Sequence, residues 1–396
     1  MSETETDTIS VEVRDTLGDV SAESWNALTA DDNPFTRYEF LSALETTGCL
    51  GEEKGWYPRY FLVFDKDDLI AACPTYVKTN SYGEFVFDWA WAEAYERNGL
   101  PYYPKLISSI PYTPATGRRL LIRADQSQAQ LTTALQRTIV GFCKDQSYSG
   151  MHWLFVTEEE HELLEQDGLM TRLDCQYHWH NQNYSDFDDF LANCTSKRRK
   201  TIKRERRHVS DANIRLEPRA GSTLTKEEWR RVHRFYRSTF DQKWGSASLT
   251  RAFFETVGET MGDDVFIVFA YLDDPVPIAC SIMFKSSDTL YGRFWGCSEE
   301  HHSLHFEACY YQGIEYCIKH GLKHFEPGAQ GEHKITRGFV PRLTYSQHWI
   351  AHDGFRNAIE NYLTEERTHV RQRCEGLAEL LPFKQTLALD HEAEKR

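Results

Sequence analysis

The sequence contains no apolar run long enough to cross a bilayer, and none of its 10 cysteines forms a Cys-x-x-Cys pair. A membrane-spanning helix needs about 20 apolar residues, so we expect no insertion into a membrane. Scattered cysteines favour reduced thiols over a disulfide framework. The first ten residues, MSETETDTIS, lack the basic and apolar character of a leader peptide. We therefore expect a cytoplasmic location.

The chain also lacks an overall positive charge, because its formal net charge is -15. That balance argues against a general nucleic-acid coat protein. One segment departs from it: the run from Ser196 to His208 (SKRRKTIKRERRH) predicts a very basic helix. Such a helix has either an anionic partner, meaning ligand phosphates or an RNA backbone, or a purely solvated role. Arg199 and Lys203 are its candidate phosphate ligands.

A length of 396 residues exceeds the usual size of one hydrophobic core, so we expect two domains. Hydrophobic patterns predict mixed α/β domains at residues 1–184 and 185–352, followed by a helix and charged tail at 353–396. The halves resemble each other. Leu69-Ile-Ala-Ala-Cys followed by Tyr82-Gly-x-Phe matches Pro277-Ile-Ala-Cys followed by Tyr291-Gly-x-Phe at similar spacing. A duplication would give two copies of one domain facing each other across a cleft.

The stretch from Tyr291 to Arg337 predicts a strand, a polar loop, a helix from Ser303, a second strand and a glycine-rich loop. This order is typical of a ligand-binding α/β unit. The helix N-terminus offers N–H donors to an anion, and the second strand delivers Glu326 to the same end.

Glu326 is the candidate general base, with His333 as its partner, because a buried carboxyl group beside a histidine can reach a pKa near neutrality. The alternative is structural: Glu326 caps a helix or pairs with Lys334. Tyr310 is the candidate acid for a leaving group. The remaining candidate donor ligands in this stretch are His305, Ser303, Gln330, Lys334 and Arg337, and its candidate acceptor ligands are His302 and Glu332.

A second candidate lining is the aromatic run from Tyr82 to Lys105, in which charged residues alternate with aromatic ones. Core packing explains the aromatic residues, whereas buried charges each need a partner. Asp88, Tyr103 and Lys105 are therefore predicted to contact a substrate.

The sequence lacks a spacing of metal-ligating residues that is specific for a metal site. His301 and His305 are four residues apart, but no His-Glu-x-x-His motif is present. We expect no metal ion. Cys297 is an alternative nucleophile, but a buried cysteine at a strand end is the more common case.

Several long segments resemble the FemAB-like predicted N-acyltransferases, also described as peptidoglycan biosynthesis/recognition proteins. They are HWHNQNYSDFDDFLANCTSKRRKTIKRER, KWGSASLTRAFFE, LYGRFWGC and SLHFEACYYQGIEYCIKHGLKHFEPGAQGEHKITRGFVP. The resemblance runs from Asn33 to Lys384. It implies a mixed α/β fold made of a tandem pair of GNAT-like domains with a central cleft.

The resemblance also implies transfer of an acyl or aminoacyl group to an amine. Enzymes of the GNAT type use acyl-CoA, and Fem ligases use aminoacyl-tRNA, so both donors and a tRNA partner stay open, with acyl-CoA favoured. The usual GNAT loop R/Q-x-x-G-x-G/A is not intact here, because SEEHHSLHF takes its place. The loop TPATGRR is an alternative phosphate site. A non-catalytic protein that binds a cell-wall or nucleotide-linked ligand is the third alternative, and the oligomeric state stays open.

Overall fold

The computed structural model of the chain describes residues 9–29, 32–242, 247–329 and 331–384, and these form two compact units. Unit 1 comprises the residues up to Asp174 together with Thr344–Val370, and unit 2 comprises Cys175–Leu343 together with the residues from Arg371 on. The predicted domain boundaries after residues 184 and 352 concern independently folding domains and stay predictions.

The elements of the first half are β1 (Ile9–Arg14), α1 (Ala22–Asn26), α2 (Tyr38–Thr46), β2 (Trp56–Asp65), β3 (Asp68–Lys78), α3 (Trp89–Arg97), β4 (Lys105–Ser108), β5 (Leu121–Ile122), α4 (Gln128–Asp145), β6 (Gly150–Val156) and α5 (Glu158–Gln166). Next come β7 (Met170–His180), α6 (Phe187–Asn193), α7 (Ser196–Asp211), β8 (Arg215–Ala220), α8 (Lys226–Gln242), α9 (Arg251–Thr260), β9 (Val265–Tyr271), β10 (Ala279–Lys285) and β11 (Thr289–Cys297). The chain continues through α10 (Leu304–Phe306), a π-helical turn (Glu307–Tyr311), α11 (Gln312–His320), β12 (His324–Glu326), a 3₁₀ turn (Glu332–Arg337), β13 (Val340–Ile350) and α12 (Asp353–Ala378).

The two units have the same strand order. Unit 1 runs β1-β2-β3-β4-β6-β13, with β5 beside β3, and unit 2 runs β8-β9-β10-β11-β12-β7. The pairs β4–β6 and β11–β12 are parallel, whereas the neighbouring pairs are antiparallel. A helix connects the two parallel strands in each unit, α4 in one and α11 in the other. The predicted fold class, mixed α/β with two GNAT-like units, is confirmed.

The sequence repeat is only partly reproduced in space. Leu69–Cys73 lies in β3 and Ala279–Cys280 in β10, which occupy equivalent positions in the two sheets. Tyr82, however, lies in the loop between β3 and α3, whereas Tyr291 lies in β11. The matching of Tyr82-Gly-x-Phe to Tyr291-Gly-x-Phe was therefore wrong, since the strand equivalent to β11 is β4.

Uninterrupted runs of mostly apolar residues explain why the central strands are buried. All residues of β6 (GMHWLFV) and of β9 (VFIVFAY) are buried, as expected for strands covered on both faces. The helix α11 packs Ile314 and Cys317 into the core of unit 2 and ends at Gly321, whose φ of 68° suits a residue without a Cβ. This packing fixes the end of β12, and with it the position of Glu326.

Candidate active site

The candidate site lies where the parallel strands β11 and β12 separate. Their pairing joins Thr289–Tyr291 to His324–Glu326, after which β11 runs on to Cys297 while β12 ends. A cavity of about 100 Å³ adjoins this opening. Its lining mixes apolar and polar side chains, including Met283, Phe294, Trp295, His305, Cys309 and Tyr310. The two strands therefore separate beside a small cavity of mixed polarity.

Arg293 is the extra residue of a β-bulge in β11. In the pairing of β10 with β11, Ile282 faces Phe294 while the next residue, Met283, faces Gly292. A bulge bends a strand and re-aims a side chain, which is common beside active sites. Burial lowers the pKa of Arg293 to about 10, and the neighbouring Glu326 acts in the opposite direction. Arg293 therefore brings a partly buried cation to the cavity lining.

The helix beside the cavity is irregular. It follows Ser303, whose φ is 67°, and α10 passes into the π-helical turn before α11 begins. A π-helical turn inserts one residue into a helix and is frequent at functional sites. Cys309 and Tyr310 of this turn line the cavity. The sequence predicted the helix from Ser303 but not the turn.

Tyr310 and His333 are joined directly. The Tyr310 hydroxyl lies 2.9 Å from Nε2 of His333. Burial raises the pKa of Tyr310, so the hydroxyl keeps its proton near neutral pH. Burial and the nearby Arg337 and Lys334 lower the pKa of His333. The structure thus pairs His333 with the candidate acid Tyr310.

Lys334 is buried and donates from Nζ to the carbonyl oxygen of Gly328 at 2.6 Å. Burial lowers the pKa of its ammonium group to about 7, with a smaller effect in the same direction from Arg293. Its role as a phosphate ligand stays a prediction. In this structure the amine fixes the loop that follows β12.

Arg337 is held by several partners. Its guanidinium donates to both carboxylate oxygens of Glu205, at 3.2 and 2.7 Å, and lies 3.5 Å from the ring centroid of Phe306. It also donates to the carbonyl oxygen of His333 and to the hydroxyl of Tyr311. Phosphate binding by Arg337 stays a prediction, and a phosphate there would have to compete with Glu205.

Glu326 lies beside His178 of β7. Oε1 of Glu326 is 4.0 Å from Nδ1 of His178, and the two side chains are 14 % and 15 % exposed, respectively. Together with Arg293, whose charge acts on Glu326, they form a small, partly buried group of polar side chains at the end of β12. The assignment of Glu326 as base stays a prediction, and the structure gives it a histidine neighbour other than His333.

The predicted ligands at the helix start adopt two arrangements. His305 packs edge-on against Trp295 and Tyr310, with ring centroids 5.5 and 5.4 Å apart, and lines the cavity. Ser303 and His302 instead contact His208 of α7. Oγ of Ser303 is 3.3 Å from Nδ1 of His208, and the ring of the exposed His302 has its centroid 4.4 Å from that of His208. The start of the helix is thus attached to α7.

The basic helix α7 has one neutralised face and one open face. Arg206 pairs with Glu307 and Glu315, and Lys203 pairs with Asp188 at 3.1 Å. A groove of about 480 Å³ follows the other cations together with Lys203, and its lining consists of Arg199, Lys200, Thr201, Lys203, Arg204 and Arg207. Cations clustered along a groove are suited to phosphate groups.

The candidate substrate residues of the aromatic run belong to unit 1. The ammonium group of Lys105 forms ion pairs with Asp88 and with Glu84, the latter at 2.7 Å. The hydroxyl groups of Tyr103 and Ser81 are hydrogen-bonded to each other. Burial raises the pKa of Glu84 to about 7. For Asp88, the charges of Lys105 and His152 outweigh burial and lower the pKa to about 2. Asp88, Tyr103 and Lys105 are thus brought together, and their contact with a substrate stays a prediction.

Glu332 is exposed and accepts a hydrogen bond from Arg373 of α12 at 2.8 Å. The other candidate of this loop, Gln330, is outside the described residues. In the loop TPATGRR, Arg119 is buried and donates to the carbonyl oxygens of Leu154 and Ala115. This arginine therefore acts as an internal tie in unit 1.

Three residues of the site were not singled out from the sequence: His178, Arg293 and Glu205. His178 lies in the segment His-Trp-His, where alternation puts the two histidines opposite the buried Trp179, and this pattern was the available signal. Arg293 and Glu205 carried no comparable signal, because a bulge and a cross-chain ion pair depend on distant partners.

Within the described residues, no group of three or more His, Cys, Asp or Glu side chains is arranged to hold a metal ion. Across the same part of the chain, no helix combines the length and apolar character needed to span a membrane.

The strand order and the opening between β11 and β12 define a mixed α/β protein built from two GNAT-like units. The chain belongs to the FemAB-like family of peptidoglycan biosynthesis/recognition proteins, whose sequence profile matches residues 16–385. The predicted family is confirmed.

Solved structures match the chain at low sequence identity. FemX matches with 10% identity and a TM-score of 0.55, over 88% of this chain and 100% of its own. The C-terminal domain of a putative lysylphosphatidylglycerol synthetase from Agrobacterium fabrum matches with 8% identity and a TM-score of 0.50, over 88% and 95% of the two chains. A tandem GNAT protein from the clavulanic acid biosynthesis pathway matches with 10% identity and a TM-score of 0.44, over 87% and 99%. No curated protein matches the chain in sequence. The matches to FemX and to the synthetase domain support the fold described above.

Proposed function

We propose that the protein is an N-acyltransferase that moves an acyl group from acyl-CoA to an amine. The observation that carries the proposal is the opening between β11 and β12. Glu326 is the last residue of β12, and the next residue, Pro327, lines the small cavity that Tyr310 also lines. A proton acceptor and a proton donor at one opening are what acyl transfer to an amine requires.

The mechanism follows from these positions. The neutral amine attacks the thioester carbonyl carbon, and Glu326 takes a proton from the nitrogen. The carbon–sulfur bond then breaks as the amide forms, and the sulfur takes the hydroxyl proton of Tyr310. His333, bonded to that hydroxyl and exposed, returns a proton from solvent. Backbone N–H groups of β11 beyond its pairing with β12 are suited to stabilise the oxyanion.

The residues present fit the phosphates of a CoA thioester at α7. The groove along this helix offers Arg199 and Lys203 with three further cations, and Arg337 and His208 connect α7 to the site through Glu205 and Ser303. The loop SEEHHSLHF carries Glu299 and Glu300, which repel phosphates, so we assign the phosphates to α7 rather than to this loop. The same groove favours an alternative donor, aminoacyl-tRNA.

The test is the release of free thiol from a panel of CoA thioesters in the presence of simple amines. Glu326→Gln keeps the size of the side chain but not its basicity, so we expect a loss of activity of about 10²- to 10⁴-fold. The matched control is Glu259→Gln on the exposed surface of α9, which should retain full activity. A folded Glu326→Gln protein with full activity would remove the assigned base. Stabilisation by a ligand without product from any donor would support the non-catalytic alternative instead.

A further inference from the structure

Cross-strand pairing places His178 directly opposite Glu326. β12 pairs with β7 through His324 with His180 and Phe325 with Trp179. One step further in this antiparallel register, His178 meets Glu326, and both side chains lie on the face opposite Trp179 and Phe325. The separation of 4.0 Å between Nδ1 and Oε1 is short enough for an ionic contact and slightly too long for a hydrogen bond.

His178 is neutral near pH 7. Burial lowers its pKa to about 3, and the charges of Arg342, His324 and Lys334 act in the same direction. The titratable and charged groups that face it are therefore Glu326 and His324 on β12, Arg342 on β13 and Lys334 in the 3₁₀ turn. Three of these neighbours, Arg342, His324 and Lys334, are basic groups, and the fourth, Glu326, is a carboxylate.

The position of the remaining proton follows from the surroundings of the ring. Nε2 of His178 is buried and has no hydrogen-bond partner in the described part of the chain. A proton on Nε2 would leave a buried donor unpaired, which native structures rarely tolerate. A proton on Nδ1 instead points toward the carboxylate and leaves only an acceptor unpaired. The neutral ring therefore carries its proton on Nδ1.

We propose that His178 is a positioning residue for Glu326: its Nδ1–H holds the carboxylate in the orientation that receives the proton of the acceptor amine. This inference rests on the proposed function. The proton moves from the amine nitrogen to the carboxylate, and none is transferred to the imidazole. The 4.0 Å separation shortens when the acceptor binds, since catalytic hydrogen bonds are often long before that step.

Two substitutions separate positioning from packing. His178→Ala removes the donor, whereas His178→Asn retains an N–H group near the position of Nδ1. A carboxylate that loses a hydrogen bond becomes harder to ionise, so in His178→Ala the acid limb of kcat/KM against pH should move up by about one pH unit. The same variant should lose roughly 10- to 100-fold in kcat/KM, as expected for one hydrogen bond to a charged group. His178→Asn should restore most of both.

The matched control is His320→Asn. His320 is exposed at the end of α11, and its ring packs against that of Tyr316, which does not line the cavity. It should leave the pH profile unchanged. An unchanged profile in His178→Ala, or a profile shifted equally in Ala and Asn, would overturn the proposal.

A second readout does not depend on activity. In protein labelled with ¹⁵N-histidine, two-bond imidazole correlations distinguish the tautomers, and His178→Asn identifies the signal of His178. We expect a neutral ring with the proton on Nδ1 from pH 5 to pH 8, and a changed tautomer balance in Glu326→Gln. A ring protonated on Nε2, or one insensitive to Glu326→Gln, would overturn the pairing. If no donor supports transfer while this coupling is observed, the proposed function fails and the pairing stands.

Discussion

Burial determines what the individual side chains of this site can do. Lys334 has a pKa lowered to about 7, and Arg293 has a pKa lowered to about 10, in each case mainly because water is excluded from the charged group. A lysine whose pKa lies near 7 exists in both the protonated and the neutral form at physiological pH. Ionisable groups perturbed in this way are enriched at functional sites.

The pair formed by Arg337 and Glu205 should contribute strongly to stability. Their side chains are 7 and 11 % exposed and joined at 2.7 Å. Arg337→Met would leave a buried carboxylate without its partner, which costs about 3–5 kcal/mol in the free energy of unfolding. Urea denaturation measures this loss. The double variant Glu205→Leu with Arg337→Met should lose less than the single variant, because no charge stays buried alone.

The matched control for this pair is Arg215→Met, since Arg215 is 59 % exposed and pairs with Glu217 on the surface. That change should cost less than about 1 kcal/mol. If Arg337→Met leaves stability intact but abolishes stabilisation by CoA, Arg337 is a phosphate ligand, as the sequence predicted.

At the scale of elements, each sheet is completed by a strand from the other half of the chain. β7 follows β6 in sequence but pairs with β12 in unit 2, and β13 follows β12 but pairs with β6 in unit 1. The neighbour of Glu326 is therefore a residue of β7, a strand that belongs by sequence to the first half. Because β7 and β12 are more than a hundred residues apart in the chain, the sequence around Glu326 gives no indication of His178.

Close packing of α8 on β11 depends on Gly296. A Cβ atom at this position would lie 1.8 Å from the backbone carbonyl oxygen of Phe235 in α8. Gly296→Ala must therefore displace the helix or the strand, and we expect a loss of about 1–3 kcal/mol in the free energy of unfolding. Thermal or urea unfolding measures it.

Gly141 provides the comparison, because it lies inside α4 with no atom within 4 Å of an added Cβ. Gly141→Ala should stabilise the protein by about 0.5–1 kcal/mol, since alanine favours a helix. Equal effects of the two alanine substitutions would contradict the close approach of α8 and β11.

Local signals predicted the elements, whereas distant pairing determined the site. The helix ending at Gly321 and the short strand before Glu326 follow from apolar spacing and from a glycine at a helix end, which act within a few residues. The contacts of Glu326 with His178 and of Arg337 with Glu205 join segments more than a hundred residues apart. Neither spacing nor composition records such pairings, and the same holds for the hydrogen bond between His333 and Tyr310.

At the scale of the whole molecule, charge is distributed unevenly. The net charge is -15, yet eight lysines and arginines lie between residues 197 and 207. Long-range repulsion from an acidic surface opposes a large polyanion such as tRNA more than a small ligand with a few phosphates. The cations along the α7 groove act at short range on either ligand.

Salt dependence therefore distinguishes the two donors. We expect CoA to stabilise the protein against thermal unfolding, and this stabilisation should decrease between 50 and 300 mM salt, values on the order of those that screen phosphate contacts. Arg199→Ala should weaken it, whereas Arg137→Ala, an exposed arginine of α4 in unit 1, should not. On filters, charged tRNA should not be retained at about 150 mM salt. Saturable retention with a steep salt slope, lost in Arg199→Ala, would transfer the donor assignment to aminoacyl-tRNA and leave Glu326 as the base of the same reaction.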